Sequence, residues 1–157
     1  MTGNGKRNAM KTNAGSKYTP GTDVKEIAKM IRKDIADAIK AGRIPAGTKC
    51  SVRIDRFSGG KSIDLYVTAL PAGFHIYSRE YVEHTLTNKH GYFEGKRRSD
   101  EATALIKTLK SISDSYNYDD SDSMTDHFDV NFYGHEDFDS KLECDDLDAM
   151  IAELKAA

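Results

Sequence analysis

Aspartates are concentrated in one short stretch of the chain, and carboxylate oxygens are the hard ligands that Ca²⁺ and Mg²⁺ prefer. The stretch contributes Asp119, Asp120, Asp122 and Asp126. An EF-hand counted from Asp120 would have Thr125 where that loop needs glycine and Asn131 where it needs a bidentate glutamate. The sequence therefore excludes an EF-hand. A looser Mg²⁺ site with nuclease activity stays open as an alternative to a solvated acidic loop.

The residues Gly60-Lys61-Ser62 match the last positions of a P-loop, whose backbone N–H groups and lysine hold nucleotide phosphates. The position five residues before Gly60 is Asp55 instead of glycine, and Ser62 opens a strand pattern instead of a helix. We therefore expect no ATP or GTP binding. The same turn carries a cationic group that forms either a small anion site or a solvated surface: Arg53, Arg56 and Lys61.

The cysteines and histidines form no recognisable site. Cys50 and Cys144 lie far apart and belong to no C-x-x-C or Cys/His ligand pattern, so we interpret both as small apolar residues in a reducing cytoplasm. The histidines match no zinc pattern, and no spacing favours a Cys–His nucleophilic pair. They are His75, His84, His90, His127 and His135. We predict no catalytic residue, no metal and no cofactor, and we expect no enzyme.

The formal charge of the chain inverts near residue 110. Residues 1–110 carry 21 Lys and Arg against 11 Asp and Glu, whereas residues 111–157 carry 2 against 14. A local net charge of this size steers association with partners of the opposite sign. The expected acidic partner-binding surface consists of Asp114, Asp119, Asp120, Asp122, Asp126, Asp129, Glu136, Asp137 and Asp139. The expected nucleic-acid contacts are Lys6, Arg7, Lys29, Arg32, Lys33, Lys96, Arg97 and Arg98.

Apolar residues at three- and four-residue spacing predict two long helices that would position these groups. The first begins after Asp23, which is a suitable N-cap, and ends before Gly42. The second begins after Ser99, whose hydroxyl can cap it, and its apolar face continues to Tyr116. A shorter amphipathic pattern predicts a last helix over residues 145–157.

Alternation of apolar and polar residues predicts two antiparallel strands, at residues 49–57 and 62–70, joined by a glycine-containing turn. A further strand is predicted over residues 128–133, and residues 74–78 form either a third strand or the lead into a helix. We expect six aromatic rings to anchor the acidic segment to the core. They are Tyr116, Tyr118, Phe128, Phe132, Tyr133 and Phe138.

The expected organisation is a flexible basic arm at residues 1–20 and a single α+β domain at residues 21–157, with an acidic last third at residues 111–157. The domain is a small antiparallel sheet packed by two long helices, with a short C-terminal helix. No apolar run reaches the roughly 20 residues that span a bilayer, and residues 1–17 lack the apolar region of a secretory signal. We therefore expect a protein of the cytoplasm, without membrane contact.

Two stretches carry a resemblance to a known group of domains. They are SVRIDRFSGGKSI at residues 51–63 and YNYDDSD at residues 116–122 with DHFDVNFY at residues 126–133. These motifs resemble a small α+β module of the large polyvalent protein-associated domain group of phages and conjugative elements, over about residues 23–135. The resemblance implies a mobile-element origin, a bacterial host and a role in the persistence of incoming DNA. It transfers no catalytic residue.

These observations lead to two functional hypotheses. The leading one is a phage or mobile-element binding protein that interferes with a host defence nuclease system, of the anti-CRISPR or anti-restriction type. Its acidic surface would mimic nucleic acid and occupy a basic channel. The alternative is a nucleic-acid-binding accessory protein that uses the basic N-terminal part, because lysine and arginine neutralise phosphates. The sequence does not decide between them, and the oligomeric state stays open.

Overall fold

The computed structural model describes residues 13–87, 91–122, 124–125 and 128–157. Within these residues the chain forms four helices and three strands. In order they are α1 Val24–Lys40, β1 Lys49–Phe57, β2 Gly60–Ala69, α2 Arg79–Thr87, α3 Asp100–Asp114, β3 Tyr133–Phe138 and α4 Ser140–Ala156. The predicted α+β class is confirmed. None of the helices in the described ranges has the length and apolar character needed to cross a bilayer.

The three strands form one mixed sheet in the order β1-β2-β3. β1 and β2 are the predicted antiparallel hairpin, and their register pairs Phe57 with Gly60 across a two-residue turn. β3 lies parallel to β2, with Tyr133 beside Ser62 and Phe138 beside Val67. The sheet was predicted to be antiparallel, but only β1 and β2 pair in that way. The long crossover from β2 through α2 and α3 permits this parallel arrangement, which no tight turn can make.

The first long helix follows the sequence pattern closely. Asp23 is the N-cap of α1 and its carboxylate accepts a hydrogen bond from the N–H of Lys25. Gly42 follows the helix with φ +77°, a left-handed conformation that glycine adopts without strain. The apolar face is buried at Val24, Ile27, Ala28, Ile31, Ile35 and Ala38.

The second long helix completes one face of the sheet. Ser99 caps α3, its hydroxyl accepting from the N–H of Ala102 at 3.0 Å. α1 packs against β1, α3 packs against β3, and the two helices contact each other. Their apolar faces meet the side chains of Ile63, Leu65 and Val67, which are fully buried. The core therefore lies between this helical layer and one face of the sheet.

The opposite face of the sheet carries side chains that are exposed or half-buried. Because side chains alternate along a strand, this face presents every second residue. We call it the open face, and its members include Arg53, Asp55, Phe57, Ser62, Asp64, Tyr66, Tyr133, His135 and Asp137.

The strand predicted over residues 128–133 is wrong in position. β3 begins at Tyr133, and Val130 makes an isolated bridge with Asp119 instead. The alternation of Phe128, Val130 and Phe132 resembles a half-buried strand, yet Phe128 is 69% exposed and Phe132 is fully buried. The true strand reads YGHEDF and shows no apolar alternation, because two of the three residues on the face opposite the open face are Gly134 and Glu136.

The segment before α2 decides between two predicted alternatives, whereas α4 corrects a prediction. Residues 74–78 lead into α2, which is the second alternative, with a single bridge between Tyr77 and Arg98. α4 has 17 residues and is capped by Asp139, so it begins five residues before the predicted start and is not short. Asp146 on α4 accepts a hydrogen bond from the N–H of Ile76 at 2.8 Å. α4 packs against α2 beyond the Val67 end of the sheet.

The chain before α1 contacts the domain from Asn13 onwards. Ala14 bridges to Tyr118, Lys17 pairs with Asp34 at 2.8 Å, and the ring of Tyr18 meets that of Tyr118 edge-on. Residues 13–20, which lie within the segment predicted as a flexible arm, are therefore held against the domain. Residues 1–12 of that arm lie outside the described residues.

Candidate functional site

A cavity of about 480 Å³ opens beside the turn between β1 and β2. The cavity lies beside Gly60 and Lys61 at the start of β2, where β3 does not yet pair with β2 because that pairing begins at Ser62. We call it the turn pocket. Its lining is Arg56, Gly59, Gly60, Lys61, Tyr118, Phe128, Val130, Asn131, Phe132 and Tyr133.

Two cations lie side by side at this pocket because the hairpin register pairs Arg56 directly with Lys61. The Arg56 guanidinium lies 3.7 Å from the Asp23 carboxylate, and both side chains are more than half exposed. Such a pair contributes little, so Arg56 stays available to another anion. Lys61 makes no ion pair with any residue that the structure describes.

Aromatic rings form the rest of the pocket. The ring of Tyr133 lies against Gly60, where an added Cβ would be 3.3 Å from Cε2 of the ring. Gly60 has φ +150°, so the turn favours glycine for its backbone as well as for this close approach. The rings of Tyr133 and Phe57 lie 5.9 Å apart across the glycine.

The exposure of two of these rings corrects a sequence expectation. Tyr116, Phe132 and Phe138 are buried and anchor the acidic segment as predicted. Phe128 and Tyr133, in contrast, are 69% and 37% exposed. A cluster of solvent-exposed aromatic rings beside cations is typical of a binding surface rather than of core packing.

The described lining of the turn pocket contains no carboxylate. Four other cavities of the molecule, with volumes of 340 to 580 Å³, each include at least one Asp or Glu. The turn pocket therefore combines positive charge with flat apolar surfaces, a chemistry that suits an anion joined to an aromatic ring. The structure brings Arg56 and Lys61 of the predicted turn cations together, whereas Arg53 lies on the open face opposite Asp64.

The acidic residues predicted as one surface are distributed over both ends of β3. Asp114, Asp119 and Asp122 are exposed near the start of β3, and Asp114 pairs with Lys110 at 2.9 Å. Asp120 accepts a hydrogen bond from the N–H of Asn13. Asp129 follows in the same loop, and Asp126 lies outside the described residues.

The remaining three predicted acids have roles within the fold. Glu136 is half-buried on β3, and burial together with Asp114 raises the pKa of its carboxyl while Lys110 opposes the change. Asp137 pairs with Arg98, and Asp139 caps α4. Of the eight predicted acids that the structure describes, Asp137 and Asp139 thus lie at the opposite end of β3 from the loop that carries Asp119 and Asp122.

The basic residues predicted to contact nucleic acid are also separated. Lys29, Arg32 and Lys33 are exposed on α1, where Arg32 donates to the carbonyl of Val52 at 2.9 Å. Lys96 and Arg97 are exposed before α3. Lys6 and Arg7 lie outside the described residues.

Arg98, unlike its two neighbours, is an internal link. Its guanidinium pairs with Asp137 and with Glu143 at 2.9 Å, and it lies over the ring of Phe138, 5.0 Å from the centroid. Arg98 therefore joins the basic loop before α3 to the acidic segment of β3 and α4, instead of facing a phosphate.

The structure offers little support for metal or thiol chemistry. Burial raises the pKa of the Cys50 thiol to about 11, in keeping with a small apolar residue. Cys144 is exposed on α4, contrary to that interpretation. Among the described residues no group of three His, Cys, Asp or Glu is placed to hold a metal ion, and Asp126 and His127 lie outside them. Gly60-Lys61-Ser62 leads into a strand and not a helix, as predicted, and this strand begins at Gly60, two residues before the predicted start.

Comparisons of the chain with protein-family models, with curated proteins and with solved structures found no match. The turn pocket was only partly predicted from the sequence, which identified its cations but not its rings. The available signal was a pair of aromatic residues, Phe57 and Tyr133, each at the end of a strand where a core residue is not needed.

Proposed function

We propose that this protein binds nucleic acid, with Arg56 and Lys61 at the turn pocket each contacting one phosphate and the rings of the pocket holding the base next to them. The observation that carries the proposal is the pairing of Arg56 and Lys61 with exposed aromatic rings, in a cavity whose described lining has no carboxylate. Lysine and arginine neutralise phosphates, and aromatic side chains stack on bases of any sequence. This proposal agrees with the hypothesis, drawn from the sequence, that the protein binds nucleic acid. It assigns the contacts to different residues.

The dimensions of the pocket support a ligand of nucleotide size. A cavity of about 480 Å³ lies within the range of roughly 300 to 1,000 Å³ that small-ligand sites occupy. Two phosphate contacts in a single strand predict that log K falls with log salt with a slope of about −1.4. Such binding is weak at physiological salt and has no strong sequence preference.

The direct test is a charge reversal at Lys61. A fluorescein-labelled oligonucleotide of eight thymidines is titrated with the protein, and its anisotropy is measured over a series of salt concentrations. We expect Lys61→Glu to weaken binding at low salt and to reduce the salt slope by about 0.7. The matched control is Lys107→Glu, which makes the same charge change at an exposed position of α3.

The comparison of the two variants decides the outcome. Circular dichroism establishes that both are folded before they are titrated. Equal losses of affinity in Lys61→Glu and Lys107→Glu would mean that only overall charge matters, and would rule out the turn pocket as the site. Unchanged binding by Lys61→Glu would do the same.

A second function is supported by a separate observation. Asp119 and Asp122 are exposed in the loop before β3, and Asp114 is exposed nearby. As a second candidate, this acidic loop occupies the basic channel of a host defence nuclease and so inhibits it, as an anti-restriction or anti-CRISPR protein would. The phage or mobile-element origin that goes with this function stays a prediction from the resemblance.

Reversal of the loop charges separates the two candidates. In a panel of purified restriction and CRISPR nucleases, Asp119→Lys with Asp122→Lys should abolish inhibition of DNA cleavage, whereas Asp148→Lys on α4 should not. If the nucleic-acid proposal holds instead, the same double variant should bind oligonucleotide more tightly, because it removes negative charge close to the turn pocket.

A further inference from the structure

The open face carries a second pair of rings in addition to the pair at the turn. Tyr66 on β2 and His135 on β3 meet with their centroids 5.9 Å apart and their planes at 63°. Phe57 and Tyr133 form the other pair, with the same separation. Both pairs lie on the same side of the sheet, because Tyr133 and His135 are two residues apart on β3.

The spacing of these rings bears on the form of the nucleic acid. Two residues along a strand advance by about 6.6 Å, and that distance separates Tyr133 from His135. Stacked bases in a duplex repeat every 3.4 Å or so, about half that interval. Rings at this spacing therefore match bases that have been separated from one another, as proteins take them from single strands.

The charges around the rings are compatible with bases rather than with phosphates. Arg53 lies directly opposite Asp64 in the register, and Asp137 is paired with Arg98. Asp55 lies opposite the neutral Ser62, so its carboxylate is not compensated across the strand. The open face therefore favours bases over phosphates near the rings, whereas Arg56 and Lys61 project from the other face of the hairpin and offer their charge at its turn end.

We infer that the ligand is a single strand, DNA or RNA, which continues from the turn pocket over Phe57 and Tyr133 to stack a further base on Tyr66 and His135. The inference rests on the proposed function and adds the strandedness of the ligand and a second base site. Two phosphates are held at the turn. The nucleic-acid strand then follows β3 across the open face, where the exposed rings stack on its bases.

The test compares oligonucleotides of different length. Anisotropy is measured for thymidine oligonucleotides of two and eight residues and for an eight-base-pair duplex, with wild type, with Tyr66→Ala/His135→Ala and with Tyr92→Ala. Tyr92 is 84% exposed in the loop after α2, so its removal is a matched loss of an aromatic ring outside the sheet. We expect the double variant to lose about fivefold or more in affinity for the eight-residue strand and nothing for the two-residue strand.

Several results would overturn the inference. A duplex that binds as tightly as the single strand, or an eight-residue strand that binds the double variant as tightly as wild type, contradicts it while the proposed function stands. If the wild-type protein is a dimer and the double variant is a monomer, the open face binds a second copy of the protein instead. Failure of every oligonucleotide to bind would remove the proposed function and the inference together.

Crosslinking in the wild-type protein keeps the test valid if the double variant does not fold. The eight-residue strand is prepared with 5-iododeoxyuridine at each position in turn, irradiated in complex, and the crosslinked peptide is identified by mass spectrometry. Crosslinks to Tyr66 or His135 from positions beyond those that reach Tyr133 support the inference. Crosslinks confined to the turn pocket contradict it.

Discussion

Glu136 shows how much the meaning of a single residue depends on its surroundings. In the sequence it is one of 14 acids in the last third of the chain and was predicted to face a partner. In the structure its Oε1 is buried, and the nearby Ser113 hydroxyl lowers the pKa of the carboxyl without making a hydrogen bond of good geometry to Oε1. Burial raises the pKa of this carboxyl above its ordinary value of 4.5, so its ionised form destabilises the folded state.

Replacement of this carboxylate gives a stability prediction with a defined pH dependence. A carboxyl with a raised pKa in the folded state costs stability as the pH rises above the unfolded value. Glu136→Gln should therefore raise the free energy of unfolding at pH 7 by about 1 kcal/mol, the scale of a pKa change of roughly one unit, because the neutral amide avoids the cost of burying an ionised carboxylate. Urea denaturation of the variant and the wild type at several pH values measures the difference in their free energies of unfolding. This difference should vanish below about pH 4.5. A variant less stable than wild type at pH 7 would contradict this explanation.

At the residue scale, sequence reasoning identified caps and turn cations but not the state of each charge. Asp23 and Ser99 were predictable because capping depends on their immediate neighbours. Arg98 was not, since its partners Asp137 and Glu143 are 39 and 45 residues away. The rings of the turn pocket were missed for the same reason.

At the scale of elements, α3 depends on a cap that also fastens it to the preceding segment. The Ser99 hydroxyl accepts from the N–H of Ala102 and donates to the carbonyl of His75 at 2.6 Å. Ser99→Ala should lower the free energy of unfolding by about 1 to 2 kcal/mol through loss of the cap and this second bond. Thermal denaturation measures the effect, with the exposed Ser111→Ala of the same helix as control. Equal stability of the two variants would mean that the cap contributes nothing.

The elements that were predicted correctly are those with a strong local pattern. α1, α3 and the hairpin each bury a regular apolar face against the core, so spacing and turn residues identify them. β3 could not be found in this way. It has one covered face and an open face of polar and aromatic residues, and its pairing with β2 is set by a crossover of more than sixty residues.

At the scale of the whole molecule, the fold disperses part of the charge inversion within the residues that the structure describes. β3 separates the acidic loop from α4 by about 17 Å, at 3.3 Å or so for each residue. At the α4 end of β3, Arg98 pairs with two of the acids and offsets part of their negative charge. A count of charges along a sequence contains neither of these facts, so the predicted single acidic surface could not be tested without the fold.

The link through Arg98 predicts a loss of global stability. Arg98→Ala removes a guanidinium that pairs with two partly buried carboxylates and covers Phe138. Because all three charges are about a third exposed or less, we expect a loss of about 1 to 2 kcal/mol in the free energy of unfolding. The control is Arg97→Ala, the exposed neighbour, which should change stability by less than about 0.5 kcal/mol. Similar values for both variants, from urea denaturation, would mean that the link does not hold the acidic segment.

Nucleic-acid binding at the turn pocket can be decided by one titration. The anisotropy of a labelled eight-residue thymidine strand is followed with the wild-type protein at salt concentrations from about 20 to 200 mM. We expect saturable binding at low salt, with log K falling against log salt at a slope near −1.4 for two phosphate contacts. The absence of binding at the lowest salt, or an affinity that does not change with salt, would contradict it.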